Sequence, residues 1–349
     1  VHIAWIVYGE LAQATGGYIY DRLIVEGLRA HGVEVEIVDP RATTVACQRA
    51  DVVLGDALCV REIGPLFDRL EGLAPRVLLV HHLPSWEIER TDREEMRGQE
   101  ARALAGSDHA IATSDVTRER LVGEGLAGRP ASLSVDVVEP GADRLPRLAR
   151  APGAGGRVEL LFVGSLVARK RVSLLLDALE SLPALLPGLT LLGDAGREPE
   201  YARAIAERVE GSDALRSCVT IAGVAGDGAL ARWLSRADAL VLPSSLEGYG
   251  MVLTEALHAG LPVIAARPAA IAAAIADHGA VLVFDDGHDL AQVLRRFVAE
   301  PTLREAMRSE AMAAELPTWA GAVDAFRRLL VDARRRVTTR VTRVGGEGP

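Results

Sequence analysis

Lysine is nearly absent from this sequence: Lys170 is the only one among 39 basic residues, the others being arginine. A GC-rich codon bias replaces lysine by arginine wherever diffuse positive charge is enough. A lone survivor therefore marks either chance or a place that needs a compact ammonium group. Cysteine is also scarce. Cys47, Cys59 and Cys218 are the full set, scattered without CxxC spacing, which fits a reducing compartment and reads as small core or surface residues. Positive charge is in deficit, with a net charge of −9 and a pI near 5.5, which argues against a dedicated nucleic-acid binder. Long apolar runs are missing as well. The opening Val1–Tyr8 is too short for a signal core with flanks, and the Ala-rich stretch 265–284 is broken by Arg267, Pro268 and Asp277. The expectation is a soluble, cytoplasmic protein without a transmembrane segment.

What is present is length and α/β patterning. A chain of 349 residues, 49% apolar, is too long for one core and suggests two domains. Short apolar runs alternate with amphipathic helical stretches, the pattern of βαβ units and a mostly parallel sheet. Strands are predicted at Ile3–Tyr8, Val33–Val38, Asp51–Leu54, Val77–His81, His109–Thr113 and Val135–Glu139. After the first strand, Tyr20, Leu23, Ile24 and Gly27 fall on one helix face. The run RLPRLARAPGAGGR (144–157) has no apolar periodicity and reads as a linker. A second series follows, with strands at Glu159–Val163, Leu189–Leu192, Val219–Ala222, Ala239–Leu242, Pro262–Ala265 and Val281–Phe284. This predicts two Rossmann-like doubly wound domains, 1–147 and 157–315, whose strand ends face a ligand cleft.

A C-terminal helix over 319–336 carries Trp319, Val323, Phe326 and Leu330 on one face and is followed by a tail, 337–349. Seven arginines lie between 327 and 343. They read as a solvated helix face and frayed tail, with weak contact to a membrane surface or an anionic partner as the other reading.

The segment SSLEGYGMVLTEALHAGLPVIA (244–265) carries most of the chemistry. A strand ends at Pro243, a glycine-flanked turn spans Glu247–Gly250, and a helix begins near Met251. Its N-terminal N–H groups form an anion site. Glu247 and Glu255 would repel a phosphate taken alone. They make sense as acceptors for hydroxyl groups on either side of one, sugar on one side and ribose on the other. A glutamate pairing with the helix dipole would explain either residue singly, but not the Gly-Tyr-Gly between them.

This segment resembles the Glu-x7-Glu motif of retaining GT-B glycosyltransferases of family 4, with Glu247 and Glu255 at its two ends. Further segments match in order. ATGGYIYDRL (14–23) resembles the family's N-terminal Gly-Gly loop, VEPGAD (138–143) the close of the first domain, and VGSLVARKRVSLLLDAL (163–179) the phosphate-binding strand-loop-helix. The stretch 219–244 resembles the lead-in to the Glu-x7-Glu loop, and Trp319 the start of the helix that crosses back to the first domain.

The resemblance implies a role for each matching position. Glu247 accepts donor-sugar hydroxyls, and the backbone N–H groups of Gly248, Tyr249, Gly250, Met251 and Val252 hold sugar and diphosphate. Glu255 binds ribose hydroxyls. Lys170 and Arg169 neutralise the diphosphate, and Gly16 and Gly17 bring first-domain N–H groups up to it. Many relatives carry arginine five positions before the lysine. Ser165 stands there in this chain, and Arg169 is the candidate replacement.

In VLLVHHLPSWE (77–87) a His ends a first-domain strand, and the family places a His there near the donor sugar. His81 matches best, with His82 one step on. A hydrogen-bonded structural histidine is the plainer reading of each. His82 and the following loop, with Trp86 and Glu87, are where the acceptor is expected.

No metal-ligand spacing surrounds the histidines, and G-x-S-x-G, Walker A and H-E-x-x-H motifs are absent. The expectation is a metal-independent, cofactor-free retaining transferase. It would move a sugar from a UDP- or GDP-sugar to a small-molecule or lipid acceptor. A nucleotide-sugar epimerase, a phosphorylase or a pseudo-glycosyltransferase on the same scaffold is the alternative.

Overall fold

The computed structural model describes residues 1–13, 15–41, 44–125, 133–150, 156–182, 186–267 and 278–344. The chain divides into two compact units, Val1–Pro140 with Thr318–Pro349, and Gly141–Pro317.

The first unit runs β1 (His2–Ile6), α1 (Gly16–Ala30), β2 (Glu34–Val38), α2 (Thr44–Arg49), β3 (Val52–Asp56) and α3 (Val60–Arg69). It continues with β4 (Arg76–Val80), α4 (Arg93–Ala105), β5 (His109–Ala112), α5 (Asp115–Gly123) and β6 (Ser134–Val137). Its six strands form one parallel sheet in the order β2-β1-β3-β4-β5-β6. The inner strands VVLGD, RVLLV and HAIA are buried at every residue. A parallel strand covered on both faces calls for such a continuous run, whereas the edge strand β2 alternates between exposed and buried positions.

The second unit runs β7 (Glu159–Val163), α6 (Val172–Glu180), β8 (Gly188–Leu192), α7 (Pro199–Gly211), α8 (Asp213–Arg216), β9 (Val219–Gly223) and α9 (Asp227–Arg236). Then come β10 (Ala239–Leu242), α10 (Met251–His258), β11 (Val263–Ala266), β12 (Val281–Phe284), α11 (Gly287–Ala299) and α12 (Pro301–Ala313). The sheet order is β12-β11-β10-β7-β8-β9. In each sheet the chain starts centrally, builds to one side, and then crosses to the other. The loops after β1 and β3, and after β7 and β10, therefore part at the point where a doubly wound sheet leaves a crevice.

The last helix, α13 (Trp319–Val344), belongs to the first unit. Trp5 and Phe326 stack at 5.5 Å between ring centres, and Phe326 is fully buried, worth about 1.5–3 kcal/mol. A Cβ at Gly27 on α1 would collide with Val323, so that glycine lets the two helices approach closely.

Each predicted strand is present, with ends displaced by at most two residues. Three local expectations are corrected. The buried face of α1 is formed by Tyr18, Tyr20, Asp21, Ile24, Val25 and Leu28, so it is rotated away from Leu23 and takes in an aspartate. The stretch 144–150 is not a free linker. Arg144, Arg147 and Arg150 bond to Glu255 and Asp227, to Met312, and to Asp238 respectively, all within the second unit. The C-terminal helix continues to Val344, through part of the expected tail. The side chains of Arg334, Arg335, Arg336, Arg340 and Arg343 lie outside the described residues, as do Ala14 of the Gly-Gly segment, 151–155 of the linker stretch, Pro268 and Asp277 of the Ala-rich stretch, and 345–349 of the tail. Among the described residues no helix is long and apolar enough to cross a membrane.

Candidate active site

In the second unit the loop from Gly164 to Arg171 leaves β7 and is bound to two neighbours. Toward β8, the N–H groups of Gly164 and Leu166 donate to the carbonyls of Leu192 and Asp194, each at 2.8 Å. A Cβ at Gly193 would collide with the Gly164 carbonyl, so only glycine allows this contact. Toward β10, the Ser245 N–H donates to the Arg169 carbonyl at 2.8 Å. The Arg171 side chain donates to the carbonyls of Pro243 at 2.7 Å and Ser244 at 3.3 Å. Arg171 does this from a left-handed backbone at φ 46°, a conformation that costs a non-glycine residue about 1–3 kcal/mol. Two loops separated in sequence become one surface.

That surface sets Lys170, 8% exposed, against Glu247, 9% exposed, and the ammonium donates to the carboxylate. The Arg169 guanidinium donates to the Leu246 carbonyl at 3.0 Å and lies 3.8 Å from the other Glu247 oxygen. Burial lowers the Lys170 pKa and the Arg169 charge adds to the fall, against the pull of Glu247. Burial works to raise the Glu247 pKa, but Lys170 and Arg169 bring it below the ordinary carboxylate value. Lys170 and Arg169 thus both converge on the Glu247 carboxylate.

Beside it Gly250, at φ 90°, caps α10. The Leu253 N–H already donates to the Gly250 carbonyl at 2.8 Å. Met251 and Val252 supply first-turn N–H groups, which have no intrahelical acceptor. The Tyr249 side chain packs into the apolar core of the unit, so the tyrosine contributes backbone to this turn. Ser165 is half-buried in the loop after β7.

Glu255, one turn into α10, is 3% exposed and accepts a hydrogen bond from Arg144 Nε at 2.7 Å. The same guanidinium pairs with Asp227. Burial raises the Glu255 pKa, with Arg144 acting against it. Sequence reasoning missed Arg144, which lies 111 residues away in a stretch read as linker.

The first unit holds a second cluster, at the ends of β3 and β4 and the start of α1. His81 follows β4, and its Nε2 lies 3.1 Å from Asp21 Oδ1 and 3.6 Å from Asp56 Oδ2. Both aspartates are fully buried. Gly16 and Gly17 open α1. A Cβ at Gly17 would sit 3.3 Å from His81 Cδ2, so the helix start lies flat against the imidazole. Tyr20 meets the ring edge-on at 5.2 Å and donates to the Val138 carbonyl at 2.9 Å. Burial would lower the His81 pKa, but Asp56 and Asp21 raise it to about 10. Asp21 is raised to about 8 by burial and by Asp56. Among the described residues this is the one group of three His, Cys, Asp or Glu side chains close enough to hold a metal ion; a proton on Nε2 also satisfies the 3.1 Å contact. Neither aspartate was singled out from sequence. The available signal was an aspartate inside an apolar helical stripe.

His82, half-buried, pairs with Glu87 at 3.1 Å. Trp86 corrects an expectation. It is 3% exposed, its Nε1 donates to Glu124 at 3.0 Å, and the Arg120 guanidinium covers the ring at 4.4 Å. Its ring is a packing element, and only His82 and Glu87 of the expected acceptor residues are partly open.

Two switch-point crevices with these clusters define the class of protein as GT-B. Similarity to solved structures shows the same fold. Sucrose-phosphate synthase from Thermosynechococcus elongatus superposes with a TM-score of 0.80 at 20% identity, over 95% of this chain and 98% of that one. Anabaena Alr3699/HepE, solved in complex with UDP and glucose, gives 0.75 at 17% identity, over 94% and 99%. Residues 149–314 match the family model for glycosyl transferases group 1. The D-inositol 3-phosphate glycosyltransferase of Streptomyces avermitilis is 31% identical over 266 residues, 68% of this chain and 55% of that protein. Its counterpart from Actinosynnema mirum is 32% identical over 237 residues, 61% and 54%. The chain spans about half the length of the curated relatives it matches. Residues 149–314 are thus a glycosyl transferases group 1 domain, within a chain similar to glycosyltransferases over 68% of its length.

Proposed function

We propose that the protein is a retaining, metal-independent glycosyltransferase using a nucleoside diphosphate sugar. The observation that carries this reading is the convergence of Lys170 and Arg169 on Glu247 beside the N-terminus of α10. Negative charge grows on the diphosphate as the bond from its oxygen to the sugar C1 breaks. Fixed cations and N–H groups already aimed there stabilise that charge without reorganising. Glu247 then accepts donor-sugar hydroxyls and Glu255 the ribose hydroxyls, while the N–H groups of 248–252 hold the sugar and diphosphate. Arg169 stands in for the arginine that Ser165 replaces.

Glu247 is engaged with Lys170 and with sugar hydroxyls, which takes it out of the role of nucleophile. The acceptor oxygen therefore bonds to C1 on the face the diphosphate leaves, and a diphosphate oxygen takes the acceptor proton. The product keeps the donor's anomeric configuration. By the resemblance to the family, the first unit's candidate residues toward the donor are Gly16, Gly17 and His81. His82 and Glu87 serve the acceptor.

UDP is favoured over GDP because a neighbour of the same fold was solved with UDP. Relatives named for D-inositol 3-phosphate make a polyol phosphate the first acceptor to try, ahead of lipids. The test is a panel of UDP- and GDP-sugars scored by melting temperature and by slow hydrolysis, with transfer products then assayed for anomeric configuration. A stabilising, slowly hydrolysed UDP-sugar is expected. An inverted product, or turnover abolished by a chelator, overturns the mechanism.

A further inference from the structure

Asp21 and Asp56 have no part in the reaction proposed above, yet both are fully buried against His81. Two carboxylates and one imidazole in dry surroundings hold one anion too many, since neighbouring buried carboxylates do not both ionise. Surroundings decide which one keeps a proton. Asp56 Oδ1 accepts the Leu58 N–H at 2.7 Å, where the carboxylate caps the short turn Ala57–Cys59. That donor stabilises an anion. Asp21 Oδ1 has only the imidazole, and its Oδ2 has no hydrogen-bond donor. Asp56 Oδ2 is likewise buried without a donor; the two carboxyls and the imidazole bring ligand atoms within 4.8 Å of one another, so a proton kept on Asp21 relieves the repulsion between the carboxyls.

We infer that Asp21 is the neutral and Asp56 the ionised member of a carboxyl pair that holds His81 as a permanent imidazolium. The first unit then presents a fixed charge at Nδ1–H rather than a titrating base. The groups around the ring support this assignment. Tyr18 and Tyr20 on α1 and Cys59 after β3 are kept neutral by burial, which raises each of their pKa values. Thr113 and Thr117 direct hydroxyls at the His81 backbone carbonyl, both at 3.4 Å, and Trp319 packs behind Tyr20. Asp56 is lowered despite its burial, first by the charge of His81. The use of the charge, a hydrogen bond to an oxygen of the donor sugar, rests on the glycosyltransferase reading. The charge itself does not. Both aspartates are positioning residues, acting through His81.

The inference makes the two aspartates unequal. Asparagine at 21 imitates the neutral carboxyl, with Oδ1 still accepting and Nδ2 donating where the acid proton did. Asparagine at 56 keeps the Leu58 contact but removes the charge. The full chain labelled with 15N-histidine is titrated by NMR, with the His81 signal identified by its loss in His81→Gln. Wild type and Asp21→Asn should keep His81 protonated beyond about pH 9, and Asp56→Asn should return its midpoint toward the ordinary value of about 6.5. At pH 8, kcat/KM should change by less than about threefold in Asp21→Asn. In Asp56→Asn it should fall about tenfold or more and acquire an inflection near the ordinary histidine value. If Asp56→Asn does not fold, the wild-type and Asp21→Asn titrations still decide. A neutral His81 at pH 8, an Asp21→Asn as damaged as Asp56→Asn, or a stoichiometric divalent metal in the purified protein overturns the inference. A charged His81 in a protein that turns over no nucleotide sugar supports it and overturns the functional reading instead.

Discussion

In the second unit two cations, Lys170 and Arg169, face one carboxylate where β7 and β10 part. In the first unit two carboxylates, Asp21 and Asp56, face one imidazole beside β1, β3 and β4. Both clusters sit at the strand ends of a doubly wound sheet and both are buried, so desolvation opposes every charge in them. The second cluster, of Lys170 and Arg169, gathers two cations on one carboxylate, the arrangement proposed to receive a diphosphate. The first reaches neutrality by keeping a proton. One fold position thus gathers mostly bases in one unit and mostly acids in the other, and the proposed roles, an anion receiver and a holder of a single charged ring, follow from that ratio.

The largest effect should come from removing Lys170. Lys170→Ala loses charge-assisted contacts worth about 1.5–3 kcal/mol, a drop of about ten- to more than a hundredfold in kcat/KM; unchanged turnover breaks the comparison. The sign of the pH dependence follows from the same residue. Because the Lys170 pKa is lowered and a bound diphosphate favours the charged form, affinity declines as pH rises, and the decline begins below the ordinary lysine value. Calorimetry across alkaline pH measures this.

Glu247→Gln comes next. It leaves the two cations without their anion, so the ligand-free protein should melt at lower temperature while free UDP binding persists. Transfer should fall more than binding, and a variant with intact transfer removes Glu247 from the sugar. Glu255→Ala should weaken free nucleoside diphosphate binding by about 1–2 kcal/mol, with Arg144 still held by Asp227. Equal affinity by calorimetry contradicts a ribose role. Smallest is Ser165→Arg. A second arginine in this half-exposed loop should tighten UDP binding by about 0.2–1 kcal/mol. No gain would mean that Arg169 already fills the place.

Much of the fold was legible because strands covered on both faces must be continuous apolar runs, and RVLLV and ALVL could be little else. Lys170 and Glu247 were legible as separate signals, one from its rarity and one from its glycine-flanked turn. Their direct contact was not, since it depends on Arg171 and Arg169 joining two loops across 72 to 77 positions. Trp86 misled because an aromatic in a polar loop reads as presented, whereas Glu124 and Arg120 enclose it. The arginines of 144–150 misled in the same way, their partners being distant in sequence.

The sequence by itself determined the alternation of strands and helices, the glycines that open α1 and cap α10, and the single lysine in its loop. These follow from periodicity and local backbone preference. Tertiary structure alone decided that Asp21 belongs with Asp56 and His81, that Arg144 covers Glu255, and that Lys170 rests on Glu247. Charge and protonation depend on which groups share a dry space, and a parallel sheet brings together loops that lie far apart along the chain.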